Sequence, residues 1–363
     1  MNMNKSLVAL AVAGVFATSA AIADVSIYGQ ANVSYDVIDN DGTRDSQGVG
    51  SNASRFGLKG SEDLGSGLSA IWQIESQIAI GSGNGGTQNA RSATRLAQRD
   101  TFAGLKSDTA GTLRLGRFDT PYKLATRGMD MFHNTIADNR SLMGNGHDAR
   151  TSNTVGFNSL NYSGFSVAGS YFGDQGGTAP GQNSPAGLNP GNSINHTNEG
   201  ASVAAMYDAG PIYATVAYQS MSNELSNGSF NTKAWKGGVG YATDLFALNG
   251  ALENIKNSNG PGSSTAYYLS AKYNVTTDDA LKLAFADVSG NAGKANKTGA
   301  QQYTVGFDHK MTKQTTLYAL YTRLRNDRNS NYQLGFNSAS SSTSVAAMGN
   351  DPSAFSVGMK HAF

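Results

Sequence analysis

Val25-Ser-Ile-Tyr-Gly-Gln-Ala-Asn-Val-Ser-Tyr-Asp-Val37 is the stretch whose reading decides the fold class. Its odd positions are Val, Ile, Gly, Ala, Val, Tyr and Val, and its even positions Ser, Tyr, Gln, Asn, Ser and Asp. A strand sends alternate side chains to opposite faces, so this segment has one apolar and one wet face. The alternation returns at the far end, where Phe355, Val357, Met359, His361 and Phe363 share a face opposite Ser356, Gly358, Lys360 and Ala362. Between the two it recurs in 68–78, 212–219, 267–275, 281–285 and 303–311. Segments of about 10 residues are long enough for a tilted strand to cross a bilayer.

The connections alternate in length. Short ones fall near 63–67, 107–111, 161–164, 208–211, 243–244, 277–279 and 312–314; long ones span 39–51, 81–96, 119–149, 173–198, 221–229, 257–264, 289–299 and 327–350. This rhythm predicts sixteen antiparallel strands in one transmembrane β-barrel, all-β, with short periplasmic turns and long external loops. Closure is the physical requirement, because a free sheet edge in lipid leaves N–H and C=O groups with nothing to bond. A soluble all-β sandwich shows the same alternation, but it has no reason to pair long with short connections.

The residues before Asp24 read as a leader. Lys5 supplies a positive start, Leu7 to Phe16 an apolar core and Ala21-Ile22-Ala23 a small-x-small cleavage site, the pattern of a secretory signal. The expected organisation is a cleaved segment 1–23 and a single barrel over 24–363. No later stretch reaches the roughly 18 apolar residues of a spanning helix. With no Cys, the chain has no disulfide, Cys-ligated metal site or thiol nucleophile. Lys and Arg number 27 against 26 Asp and Glu, which gives no bulk basic field for nucleic acid. Neither a metal cluster nor a cofactor motif is legible. His133, His147 and His196 read as solvated loop residues, and His361 as part of an interfacial girdle, so no catalytic constellation is expected.

Four segments in order resemble the general porins of the Gram-negative outer membrane, in the neisserial and related proteobacterial branch. They are Ser54-Arg-Phe-Gly-Leu-Lys-Gly-Ser-Glu-Asp-Leu-Gly65, Arg99-Asp-Thr-Phe-Ala-Gly-Leu105, Gly116-Arg-Phe-Asp119 and Phe355-Ser-Val-Gly-Met-Lys-His-Ala-Phe363. The resemblance implies a sixteen-stranded homotrimer in the outer membrane, surrounded by lipid and lipopolysaccharide, with its third loop folded into the lumen. It also implies passive diffusion of small hydrophilic solutes and ions, and a terminal Phe363 that resembles the signal read by the barrel-assembly machinery. The third loop lacks the Pro-Glu-Phe-Gly-Gly run of many members.

Strand parity assigns candidate residues. Opposite Phe56 and Leu58, Arg55 and Lys59 are expected in the lumen, since a charge on the lipid face costs about 2–4 kcal/mol near the midplane. Reading Phe102 and Gly104 as outward turns Arg99 and Thr101 inward, and outward Val155 and Phe157 turn Arg150 inward. Three arginines then share one wall, where porins of this kind place basic residues beside the constriction. The loop 119–149 is long and carries apolar residues that need a place to pack, so Asp130 and Asp138 are expected to oppose the arginines; an internal pair between Asp138 and Arg140 is the alternative. Arg323 and Arg325 read as further lumen lining. Asp100 and Arg117 fall on the lipid parity, which points to a subunit interface or a place beneath a latching loop, a register slip at the strand end being the alternative. Sixteen strands enclose an aqueous channel; the alternatives are a solute-specific channel, which calls for an aromatic ladder beyond Tyr28, and a closed barrel serving as adhesin or rim-site enzyme.

Overall fold

The computed structural model describes residues 24–42, 44–81, 96–144, 146–173, 198–225, 228–258, 263–289, 297–335, 344 and 347–363. The leader expected at 1–23 and His196 lie outside them. Strand β1 (Asp24–Asp39) is followed by β2, which comprises Ser46–Ser51 and Arg55–Gly65, and by β3 (Leu68–Gln77), β4 (Thr101–Ser107) and β5 (Gly111–Asp119). A one-turn helix, α1 (Pro121–Ala125), opens the long connection to β6 (Arg150–Ser159). Then come β7 (Phe165–Phe172), β8 (Asn198–Ala209), β9 (Ile212–Leu225), β10 (Gly228–Ala242) and β11 (Phe246–Asn257). The chain ends with β12 (Ser264–Asn274), β13 (Asp279–Ser289), β14 (Ala300–Lys310), β15 (Thr315–Asn326) and β16 (Ser353–Ala362).

The two segments of β2 count as one strand because both pair with β1. Residues 52–54 bulge between them, with Ala53 at φ +57°. The backbone N–H of Asn52 bonds Asn32 O at 2.8 Å, and the Ser54 hydroxyl both accepts from Asn32 N and donates to Asn32 O at 3.0 Å. Each strand is antiparallel to its sequence neighbour, and β16 returns to β1 from Gln30–Ala362 to Asp39–Ser353, which closes the ring of sixteen. At the seam Gly29 and Phe363 exchange backbone hydrogen bonds at 2.8 and 3.1 Å. The Phe363 ring lies so closely over Gly29 that it fills the place a Cβ would take.

Two loop expectations change. The connection expected over 221–229 is mostly strand, since β9 and β10 stay in register from Met221–Thr232 out to Leu225–Gly228. That expected over 39–51 gives its last residues to β2.

The wall has its apolar face outward, with Val25, Ile27, Val216, Val239, Leu269 and Leu283 each more than half exposed in the isolated barrel. Lipid can cover such a surface, and the closed ladder leaves no backbone edge to meet it. The buried hydrophobic cluster sits on the other face, where residues of the 120–149 segment meet the strands. Phe132, Ile136 and Leu142 are 1%, 0% and 3% exposed and pack with Tyr268, Leu320 and Leu324. Burying such side chains contributes about 1.5–3 kcal/mol each, enough to hold a segment with so little regular structure.

This docking reverses the expected parity of β15. Tyr318, Leu320 and Leu324 are 9%, 3% and 0% exposed and take the inner face, while Tyr321 is 44% exposed outside. Arg323 and Arg325 alternate with Leu324 and are exposed on the outer face, contrary to the expected lumen placement. The reason is local: the inner wall is apolar here because loop side chains cover it. Arg323 lies 3.6 Å from Asp351.

Candidate functional site

The wall of β2, β3, β4 and β6 gathers the basic residues. Arg55 and Arg99 converge on one carboxylate, Glu75 of β3: Arg55 Nε stands 3.4 Å from it and Arg99 Nε is directly hydrogen-bonded. Tyr28 donates its hydroxyl to Glu75 at 3.0 Å. Its ring crosses Gly57 and occupies the space a Cβ would need, so a side chain at that position would displace the ring. Lys59 caps the other side of the ring, its Nζ 5.3 Å from the centroid. Arg150 bonds Asp100 and also lies 3.1 Å from Asp119. Burial, then the nearby Arg150, pull Arg99 below the usual guanidinium pKa while Glu75 opposes them; it remains a cation. The structure thus brings Arg55, Arg99 and Arg150 together and interleaves them with Glu75, Asp100 and Asp119.

Of these carboxylates, sequence reasoning placed Asp100 elsewhere and omitted Glu75 and Asp119. Glu75 was legible: Ile74 is 42% exposed and Glu75 6%, the alternation expected in 68–78. Asp100 followed a wrong parity on β4. Phe102 packs edge-on against Phe118 at 6.1 Å, with the Arg114 guanidinium 5.2 and 4.5 Å from the two rings. Phe118 is 1% exposed, whereas Leu105 and Leu113 are 43% and 39% exposed, so Phe102 and Gly104 belong to the inner face. Asp100 therefore points to Arg150, not toward a neighbouring subunit. Thr101, expected inside, pairs with Arg117 on the opposite face from Phe102, and its hydroxyl accepts from Glu75 N at 3.3 Å.

Arg117 keeps the outer parity of Leu113 and Leu115. Its guanidinium donates to Gln98 O at 3.0 Å and to the Ser152 hydroxyl at 2.8 Å. A register shift between β5 and β6 at Gly116/Phe118 permits this reach.

Segment 120–149 lies against the inner face. Thr120 caps α1 by accepting from Lys123 N, Pro121 starts it, and Lys123 Nζ holds Asp119 at 2.8 Å. Asn249 and Ser270 both donate to Met129 O, at 3.0 and 2.9 Å. Lys282 donates to Met131 O at 3.1 Å and Gln302 to Ala137 O at 3.2 Å. Three strands further round the ring, Asn32 of β1 donates to Asn134 O at 2.7 Å.

Asp130 and Asp138 serve this segment itself, which differs from the expected placement opposite the arginines. Asp138 is 0% exposed and bonds Arg127 and Arg140. It also accepts from Asn134 N and Arg140 N, at 2.8 and 3.0 Å. Burial alone would raise its pKa, but the two guanidiniums outweigh burial and hold the carboxyl well below the usual range. Asp130, 1% exposed, accepts from Tyr268 Oη at 2.8 Å, Phe132 N at 2.9 Å and Asn139 N at 3.1 Å. Burial, then the charge of Asp138, push it upward. The physical reason is the loop's own need: a compact turn leaves backbone donors inside, and these carboxylates bond them.

His147, expected in solvent, is 1% exposed, its ring 5.7 Å from that of Tyr122. Burial pushes its pKa down to about 3, with Asp148 opposing and Lys236 reinforcing. Nearby, Tyr122 Oη and Gly144 N donate to Glu253 at 2.9 and 2.7 Å, and Lys236 bonds Asp148. This anchor ties the end of the segment to β10 and β11. His133, half-buried, is pushed down to about 4 by burial and then by Arg127 and Lys360.

Known proteins give a consistent likeness. Residues 8–329 match the sequence family described as Gram-negative porin. Outer membrane porin protein 32 of Delftia acidovorans is 27% identical over 376 residues, covering 99% of this chain and 100% of that one. Major outer membrane protein P.IA of Neisseria meningitidis serogroup C is 29% identical over 251 residues, covering 66% of this chain and 58% of that one. Among solved structures, the anion-selective porin from Comamonas acidovorans superposes with a TM-score of 0.72 at 23% identity, covering 94% of this chain and 100% of that chain. OmpT of Vibrio cholerae in its trimer form gives 0.66 at 14% identity, covering 94% and 99%.

Proposed function

The chain belongs to the Gram-negative porin family, and from that premise we propose that its outer-membrane channel passes small hydrophilic solutes with a weak preference for anions, set where segment 120–149 narrows the lumen beside Arg55, Arg99 and Arg150. The observation that carries this reading is the shared wall: Arg55, Arg99 and Arg150 are matched by Glu75, Asp100 and Asp119, so further basic side chains on the same face leave it net positive. Lys59 and Arg114, neither ion-paired among the described residues, add to the same inner face. Charges in a narrow, low-dielectric passage are less screened than at an open surface. The Comamonas relative is named as an anion-selective porin, which supports the same sign. Tyr28 is engaged by Glu75 and Lys59, which favours a general channel over one that stacks sugars on an aromatic ladder.

The same reading has three copies assembling, as the trimer form of the Vibrio relative suggests, a cleaved leader at 1–23, and Phe363 as the assembly signal. Arg117, on the outer parity, is a candidate contact between copies, and the exposed Arg323 and Arg325 fit the phosphates of outer-leaflet lipid and lipopolysaccharide. The test is planar-bilayer recording of purified protein. Large stepwise openings, often in threes, and a reversal potential on the anion side are expected. Bilayers that stay silent over a range of protein concentration overturn the channel, and a cation-side reversal potential overturns the sign.

A further inference from the structure

A second basic surface lies on the inner wall of β12 to β16, toward the end of the barrel that carries the short turns. Tyr273, Leu281, Phe307, Leu317 and Met359 are exposed on the outside of these strands. Lys272, Lys282, Lys310 and Lys360 have the opposite parity. Lys272 stands directly across from Lys282. Lys310 faces Thr316, which in turn faces Lys360. On β1, Lys360 pairs with Asn32, two positions from Gln30, the partner of Arg55. Arg55, Lys282 and Asp308 all lie within electrostatic reach of Lys360. Lys272 and Lys282 thus sit side by side, Lys310 and Lys360 flank Thr316 nearer the short turns, and Asp308 stands between the two pairs.

Among the described residues only Asp308 answers these charges with an ion pair, and Lys282 occupies it at 2.7 Å while also donating to Met131 O. Lys272, Lys310 and Lys360 have no ion pair among the described residues. Like charges directly opposite in a sheet repel, and Asp308, held by Lys282, offsets only one of the two charges of Lys272 and Lys282.

We propose that Lys272, Lys310 and Lys360, with Lys282 at their edge, form a capture site for small divalent anions entering from the short-turn side, which pass from there to Arg55. The inference rests on the channel reading above and adds a second site with a sidedness. A doubly charged oxyanion can accept from two lysines at once, where chloride engages a single charge.

The test uses inorganic phosphate as blocker of the chloride current through the full barrel. In wild type, phosphate on the short-turn side should block at a lower concentration than phosphate on the loop side. In Lys272→Gln/Lys310→Gln/Lys360→Gln the half-blocking concentration from the short-turn side should rise by about tenfold, three weakly screened charges having been removed. Lys282 stays in place because it also holds the loop. The chain has no Cys, so Lys310→Cys can be labelled alone, from whichever side the reagent reaches it, which also reports the orientation. A cationic methanethiosulfonate should restore the block and an anionic one should not, a contrast that a loss of folding does not produce. Chloride-conducting channels whose phosphate block is the same from both sides, or unchanged in the triple variant, overturn this inference and leave the porin reading standing. If no current is seen, calorimetry of phosphate binding to the detergent-solubilised barrel decides the matter: binding by wild type that is lost in the triple variant supports the site, and equal binding by both overturns it.

Discussion

Glu75 carries more of the site than its place in the sequence suggests, since Arg55, Arg99 and Tyr28 all lean on it. Glu75→Gln keeps the shape and removes the charge, so the reversal potential in a salt gradient should move further toward anions, while the Tyr28 hydroxyl keeps an amide oxygen to bond. Replacing Arg55, Arg99 and Arg150 with Gln should move it the other way, toward cations. High salt should shrink both shifts, because the Debye length falls to about 3 Å at 1 M. If neither set moves the reversal potential while conductance is normal, these residues do not control the passage. Asp138 behaves differently. Its carboxylate is fully buried between Arg127 and Arg140, and removing one partner from a buried pair costs about 3–5 kcal/mol. Asp138→Asn should therefore loosen segment 120–149, seen as noisier and larger openings and faster proteolysis of that segment, more than it shifts selectivity.

At the scale of the element, segment 120–149 is held by apolar side chains at its centre and by the polar anchor of Tyr122, His147, Asp148, Lys236 and Glu253 at its two ends. The anchor is sensitive to acid. His147 titrates near 6.5 when released and at about 3 when docked, so the docked form binds fewer protons between those values. Docking is then fully stable above about pH 6.5 and weakens as pH falls toward 3, by up to about 1.4 kcal/mol per pH unit. The protection factors of residues 120–149, taken relative to intrinsic amide exchange at each pH, should be lower at pH 4.5 than at pH 7, and His147→Gln should flatten that dependence, though His133, pushed down to about 4, leaves a smaller remainder. Equal protection factors at the two pH values sink the idea. The sequence announced an unusually long connection with apolar residues in need of burial. It did not say which side chains they would meet, because those partners come from β11 to β15, more than a hundred residues away in the chain.

For the whole molecule, closure is the decisive event, and the seam joins the first and last strands. Phe363 contributes two backbone hydrogen bonds to Gly29 and a ring laid over it, while His361 beside it bonds Thr315 at 2.8 Å. Deleting Phe363 should lower the amount of barrel reaching the outer membrane far more than it lowers the conductance of barrels that assemble. Normal membrane levels of the truncated chain would remove this expectation. The alternation of Val25 to Val37 and of Phe355 to Phe363 determined by itself that these segments are strands with a wet and an apolar face, since the period of two is a property of the local backbone. With the rhythm of short and long connections it also determined the sixteen-stranded closed sheet. It placed Arg55 and Arg150 near one another for the same reason. Only the tertiary structure decided which face of β15 and of β4 is inside. Hydrophobic alternation reports contrast, not direction, and a docked loop can make the inner face as apolar as the outer. That is why Arg323 and Arg325 stand outside, why Asp100 bonds Arg150, and why Asp130 and Asp138 are bound up within the loop, for each depends on what fills the barrel and not on the strand that carries it.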